Sequence, residues 1–253
     1  MRQRHPKNTA ASVRQHLLDE ARATGRPFND LLQYFAMERF LYRLSVSPHC
    51  EDFVLKGALM LATWQVSHTR PTKDIDLLGQ LANDIDSIAA AVRETCGQQV
   101  EPDGLDFITK SVQAETIAED AEYEGVRVRF LGKLGTARVT MQLDVGFGDV
   151  VVPGPVTLDF PTILDHPAPR LRGYTRESLV AEKLHVMVKR GILNSRMRDY
   201  FDVWTLSRQF DFDGDVLTAA VHETFGRRGL RIPSEAIPVA GFCSKESVGG
   251  RGR

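Results

Sequence analysis

Two aspartates, Asp74 and Asp76, stand two residues apart in Lys73-Asp-Ile-Asp-Leu-Leu78, where polar and apolar residues alternate. On a strand, that spacing sends both carboxylates out of one face. Two such groups a few ångströms apart repel, and a divalent cation between them relieves the conflict. Mg²⁺ suits the pair, with Mn²⁺ as the substitute, because it takes one or two carboxylates and completes its sphere with waters and substrate phosphates. Alone, an Asp-x-Asp pair is also what a soluble surface strand shows. A third carboxylate, Asp144, falls on a later strand, on the face opposite Met141, Leu143 and Val145. If the two strands are neighbours, the three groups can hold two metal ions roughly 3.5–4 Å apart, the spacing used in phosphoryl displacement. The alternative is an ordinary strand-end aspartate before Gly146.

The elements that must position these groups read as α/β (α+β), a small mixed sheet with helices. Residues 12–24 and 28–45 have helical periodicity, separated by Gly25-Arg-Pro27, with Asn29 as a candidate N-cap. Asp52 to Gly57 is a short strand ending in glycine, Ala58 to Val66 a helix, and Asp84 to Thr95 another. Residues 97–124 are acidic, with strand pieces expected around Phe107-Ile108. A hairpin follows, Val126, Val128 and Phe130 alternating with Arg127 and Arg129, then turning at Gly132-Lys-Leu-Gly135 into the strand that carries Asp144. Residues 151–169 hold five of the 12 prolines and read as an extended connector. Helices are expected from Thr175 to about Arg190, from about Ser195 to Arg208, and over 216–226. The Gly-rich tail, Ser244 to Arg253, reads as disordered. The corresponding division is 1–50 helical, 51–168 core, 169–232 helical and 233–253 tail.

Composition excludes little. With 42% hydrophobic and 26% charged residues, a globular protein is expected. No apolar run is long enough for a membrane span, and no apolar signal segment follows the basic N-terminus. Cys50, Cys96 and Cys243 are odd in number and lack metal-ligand spacing, which fits free thiols in a reducing cytoplasm. The histidines, His68 and His185 among them, lack paired metal spacing. The net charge of −1 hides an asymmetry. Asp74 to Glu124 carries 13 acidic against two basic residues, and Arg170 to Arg198 eight basic against two acidic. A basic stretch beside a carboxylate site is what a polyanionic substrate would need.

Four separated segments resemble the AbiEii/AbiGii-type nucleotidyltransferase toxins: Leu55-Lys-Gly-Ala58, Arg70-Pro-Thr-Lys-Asp-Ile-Asp-Leu77, Glu177-Ser-Leu-Val-Ala-Glu-Lys-Leu184 and Arg198-Asp-Tyr-Phe-Asp202. The resemblance runs from about residue 28 to 208 with the motifs in order. It implies a DNA polymerase β-like core in which the backbone around Lys56, Gly57 and Ala58, together with Thr72, faces the triphosphate. It implies Asp74 and Asp76 as ligands of both metals, and Asp144 as ligand of one and helper in deprotonating the acceptor hydroxyl. Lys183 would neutralise the triphosphate, aided by Arg190 or Arg198. Asp199 and Asp202 would orient Lys183 or the base. Ala58 departs from the pattern, since related enzymes commonly carry Ser or Gly there, and alanine cannot hydrogen-bond a phosphate.

Plainer readings stand beside these. Lys183 can be a surface lysine paired with Glu182 or Glu177, and Arg198 and Asp202 a helix-surface ion pair. Asp199 adjoins Tyr200, Phe201 and Trp204, expected to be the packing side of their helix. The expected reaction is NMP transfer from an NTP to an acceptor hydroxyl. The similar MenT-type toxins imply a tRNA 3′ end as acceptor and a cognate antitoxin encoded nearby. A protein-modifying nucleotidyltransferase and a catalytically silent NTP- or RNA-binding module are the alternatives. A sugar transferase would leave Lys183, Asp199 and Asp202 unexplained.

Overall fold

The computed structural model describes residues 8–66, 71–120, 123–191 and 196–234. The chain divides into two compact units, Met1–Thr175 and Arg176–Arg253. Expectations for Arg70, His68, Cys243, the basic N-terminus and the Gly-rich tail lie outside the described residues.

The first unit is built on a mixed sheet of seven strands among the described residues, in the order β3-β4-β5-β2-β1-β7-β6. The strands are β1 (Phe53–Lys56), β2 (Asp74–Gly79), β3 (Leu105–Asp120), β4 (Tyr123–Leu134), β5 (Ala137–Gly146), β6 (Val156–Asp159) and β7 (Arg170–Gly173). The pairs β2–β5 and β1–β7 are parallel, and the pairs β1–β2, β3–β4, β4–β5 and β6–β7 are antiparallel. Helices α1 (Thr9–Thr24), α2 (Phe28–Ser45), α3 (Leu59–Thr63) and α4 (Ile85–Gly97) belong to this unit. Helix α2 packs on β5 and β7, and α4 on β3 and β4. The sheet residues Leu55, Ile75, Leu77, Val128, Phe130, Leu143 and Val145 are buried in one core with Phe35, Phe40, Ile88 and Val92 of the helices. Period-two strands thus give one face to this core and leave the alternate residues for the other.

Several elements depart from the sequence expectation for physical reasons. Helix α2 starts after Pro27, and Asn29 lies inside it. Helix α3 has only five residues, because Gln65 takes a positive φ of 52°. Within the acidic stretch, Leu105–Asp120 form one 16-residue strand, β3, with an irregular register between Ile108 and Gln113. That irregularity breaks the period-two alternation, and the charges suit an edge strand that must not pair further. The hairpin turns at Gly135, φ +59°, and Gly132 stays within β4 against the Phe107 ring.

Helix α2 also anchors the proline-rich connector. Glu38 and Arg39 are almost completely buried, with Arg39 Nε 3.0 Å from Glu38 Oε1. Glu38 Oε2 accepts from the Ile163 amide at 2.8 Å, and Arg39 Nη2 donates to the Pro167 carbonyl at 2.7 Å. Burial, opposed by the Arg39 charge, pushes the Glu38 carboxyl up to about 7. The native state therefore keeps this proton to higher pH than the unfolded chain does. Unfolding free energy should fall as pH rises from the ordinary carboxylate range to about 7 and level off beyond. Glu38→Gln should flatten that segment of the profile. Parallel pH–stability profiles for the two proteins would contradict the assignment.

The second unit contains α5 (Arg176–Arg190), α6 (Met197–Gln209) and α7 (Gly214–Arg227), with α6 and α7 both packed on α5. Gly191, φ +49°, follows the last residue of α5. No helix among the described residues is long and apolar enough to cross a membrane.

Candidate active site

Register decides which side chains share the polar face of the sheet. Asp76 of β2 pairs with Asp144 of β5 on one side and Lys56 of β1 on the other, and Asp74 pairs with Gln142. On β4, Arg127 pairs with Asp144 and Arg129 with Gln142. Residues paired in register point the same way, so Asp74, Asp76 and Asp144 lie on one face, as the sequence periodicity anticipated. Each is half-buried, between fully buried Ile75, Leu77, Leu143 and Val145.

The three carboxylates are in different states. Asp74 has its pKa raised, first by burial and then by the Asp144 charge, with Arg127 and Lys73 acting against the rise. Asp144 accepts from Arg127 at both oxygens, 2.7 Å each, and from Gln142 Nε2 at 3.4 Å. Asp76 packs on Gly57, whose φ is +70°: a Cβ there would lie 1.9 Å from Asp76 Oδ2. This close approach is why only glycine fits between the end of β1 and the carboxylate. Among the described residues no three His, Cys, Asp or Glu side chains stand as an assembled cation cage. The donors nevertheless fit a hard cation. Asp74 and Asp76 offer oxygen ligands from one strand face, and a cation there would offset both the burial of Asp74 and its repulsion by Asp144. Asp144 joins them only by sharing its oxygens with Arg127.

The neighbouring polar groups have defined tasks. Lys56 is buried, and its ammonium donates to Asp149 Oδ2 at 2.8 Å, the same oxygen that takes the Tyr174 hydroxyl at 3.2 Å. Its ammonium thus helps hold the end of β1, where Gly57 turns. Ala58 precedes α3 and supplies no side-chain cap. Thr72 Oγ1 donates to the Asp74 carbonyl at 3.4 Å. Ala58, Thr72, Lys73, Gln33 and Tyr34 line a cavity of about 430 Å³. Arg127, Asp149 and Tyr174 were not among the sequence candidates. The alternation had put Arg127 on a polar strand face, but nothing in the spacing singled out Asp149 or Tyr174.

In the second unit, Lys183 lies 2.8 Å from Asp199 Oδ1 and 2.8 Å from Asp202 Oδ2. It is buried, which works against its charge, but the two carboxylates outweigh burial and raise its pKa. The surface-lysine alternative fails here, and Glu182 pairs instead with Arg228 at 3.0 Å. The Arg198–Asp202 alternative fails too: Asp202 is 1% exposed and turned to Lys183, while Arg198 is exposed. Arg190 ends α5, half-buried. Nor do Phe201 and Trp204 form the packing side of α6; they are exposed, and Asp202, Thr205 and Leu206 are the buried residues. Lys183→Ala should remove the buried cation that the Asp199 and Asp202 carboxylates share, at a cost of about 3 kcal/mol. A melting temperature unchanged from the parent would contradict the buried ion triad.

A carboxylate pair beside a glycine turn on the polar face of a mixed sheet defines a candidate nucleotidyl-transfer site. The model of the nucleotidyl transferase AbiEii toxin family, of type IV toxin–antitoxin systems, matches residues 39–243. The chain belongs to this family, and with it to a system in which an antitoxin is the partner. No curated protein matches the chain. Among solved structures, JHP933 from Helicobacter pylori is similar at 16% identity and a TM-score of 0.46, covering 78% of this chain and 78% of its own. An antigenic nucleotidyltransferase-like protein from Paracoccidioides brasiliensis is similar at 12% identity and a TM-score of 0.40, over 76% of this chain and 88% of its own.

Proposed function

We propose that this toxin-family transferase moves a nucleoside monophosphate from an NTP to an RNA hydroxyl, with a tRNA 3′ end as the acceptor, and so blocks translation. The observation that carries this reading is the register pairing of Asp76 with Asp144, next to Asp74, on the sheet face where Gly57 turns. Divalent cations held by Asp74, Asp76 and Asp144 would supply charge neutralisation at the phosphates and at the attacking and leaving oxygens. The acceptor oxygen bonds to the α-phosphorus, the bond from that phosphorus to the bridging oxygen breaks, and pyrophosphate leaves. Asp144 takes the hydroxyl proton at Oδ1, which accepts from Arg127 alone, whereas Oδ2 accepts from both Arg127 and Gln142. The half-turn at Gly57 and Ala58 lets backbone amides approach the phosphates, and Thr72 faces the adjoining cavity. That cavity, about 430 Å³, is within the usual size for a small-molecule site and would take the base and sugar. Lys183, held by Asp199 and Asp202, is a phosphate-binding cation in this reading, with Arg190 on the same helix as a second one.

The test uses purified protein, Mg²⁺, total tRNA and each of four α-labelled NTPs separately. Label on RNA with one or more of them is expected. Label on the protein fraction instead would replace the RNA acceptor with a protein one. Nucleotide binding with no transfer under any condition would leave a silent binding module.

A further inference from the structure

Helix α6 presents two unlike faces. Asp202, Thr205 and Leu206 are buried, and both carboxylates of the helix, Asp199 and Asp202, are bonded to Lys183. The outward stripe holds Met197, Phe201 and Trp204, which are 52%, 43% and 60% exposed. Their spacing of four and three residues aligns them along one side of the helix. The Phe201 and Trp204 rings lie 6.0 Å apart and are tilted by 35°, forming one continuous aromatic surface. Arg208 extends the stripe by one turn, and Arg198 flanks its other end; both are exposed and neither is hydrogen-bonded or ion-paired to a described residue. Since the acids of α6 are turned to Lys183, its exposed charges are all cationic.

We propose that this face docks single-stranded RNA, with bases stacked on Phe201 and Trp204 and flanking phosphates met by Arg198 and Arg208. The proposal rests on RNA being the acceptor. Aromatic rings between unpaired guanidiniums match the two components of such binding, stacking on any base and attraction to the backbone. The two arginines are about 15 Å apart along the helix axis, the length of a few stacked nucleotides. An apolar protein partner would match the rings but leave the two guanidiniums without a counter-charge.

The chain has two tryptophans, so Trp64→Phe leaves Trp204 as the sole reporter. Adding a 12-nucleotide single-stranded RNA of mixed sequence, without NTP, should quench its emission. Phe201→Ala should weaken this binding about tenfold. Arg208→Ala should reduce the slope of log affinity against log salt by about 0.7. In turnover assays Trp204→Ala should raise KM for RNA about tenfold while leaving kcat and NTP affinity unchanged. All four positions are exposed or partly so, and unchanged melting curves will verify folding. No quenching, or parent-like RNA affinity and salt slope in Phe201→Ala and Arg208→Ala, overturns the docking face. RNA that quenches Trp204 but is never labelled removes the acceptor reading and keeps the face. RNA labelled with the same KM by parent and Trp204→Ala proteins does the reverse.

Discussion

Asp74→Asn is expected to lower nucleotidyl transfer by about a thousandfold or more, without destabilising the protein. The two halves of this result have one cause. Asp74 is half-buried on the sheet face it shares with Asp144, and burial followed by that like charge raises its pKa. A carboxylate with a raised native pKa is less comfortable ionised in the folded chain than in the unfolded one, so at neutral pH its charge subtracts from stability. Removing the charge should leave the melting temperature unchanged or higher, with the gain shrinking as pH falls and the parent carboxyl takes up its proton. The same charge is what a divalent cation would need. Steady-state kcat/KM and thermal melts on one preparation check both halves. Near-parent turnover in a well-folded Asp74→Asn protein would sink the mechanism; a large drop in melting temperature would show that Asp74 is structural.

Gly57→Ala should be nearly as damaging to activity, by about a hundredfold, and should also cost stability. The backbone at Gly57 has φ +70°, where any side chain costs about 1–2 kcal/mol. The added methyl would also stand 1.9 Å from Asp76 Oδ2 and 2.7 Å from Asp76 Cβ. Rotating the carboxylate away can clear the first contact but not the second, so β1 and β2 must separate or Asp76 must leave its position. Gly25 provides the control. Its φ is also +70°, but nothing lies within 4 Å of the added carbon. Gly25→Ala should therefore show the backbone cost alone, with activity retained, and the difference between the two variants isolates the contact with Asp76. Equal effects of the two substitutions would contradict the close packing of Gly57 on the carboxylate.

Strand periodicity made legible that Asp74 and Asp76 share a face and that Asp144 points away from its own apolar stripe, while the β2–β5 pairing that joins them came only with the fold. What that face does with its charges was not legible. Placing the hairpin turn at 132–135 sets Arg127 opposite Thr140, whereas the observed turn at Gly135 brings it onto Asp144. A two-residue shift of the turn thus hid the pairing of Arg127 with both oxygens of Asp144. Gly132 misled because its missing side chain makes room for Phe107, a long-range packing fact with no local signature. The Lys56–Asp149–Tyr174 cluster was hidden for the same reason, since its members come from three distant segments. Residues 97–124 resisted assignment because β3 changes register midway, so neither half carries a long enough alternation. In the second unit, spacing offered Arg198 and Asp202 as a pair, but burial turned Asp202 inward to Lys183.

The most direct test of the central claim follows both ends of the nucleotide. The protein is incubated with total tRNA and each NTP, labelled in parallel at the α- and γ-phosphate, with Mg²⁺ and then with excess chelator. Nucleotidyl transfer on the Asp74/Asp76/Asp144 face predicts α-label on RNA, γ-label released in pyrophosphate, and neither once the divalent cation is removed. The γ-label on the acceptor, or α-label transfer that persists in chelator, would contradict it.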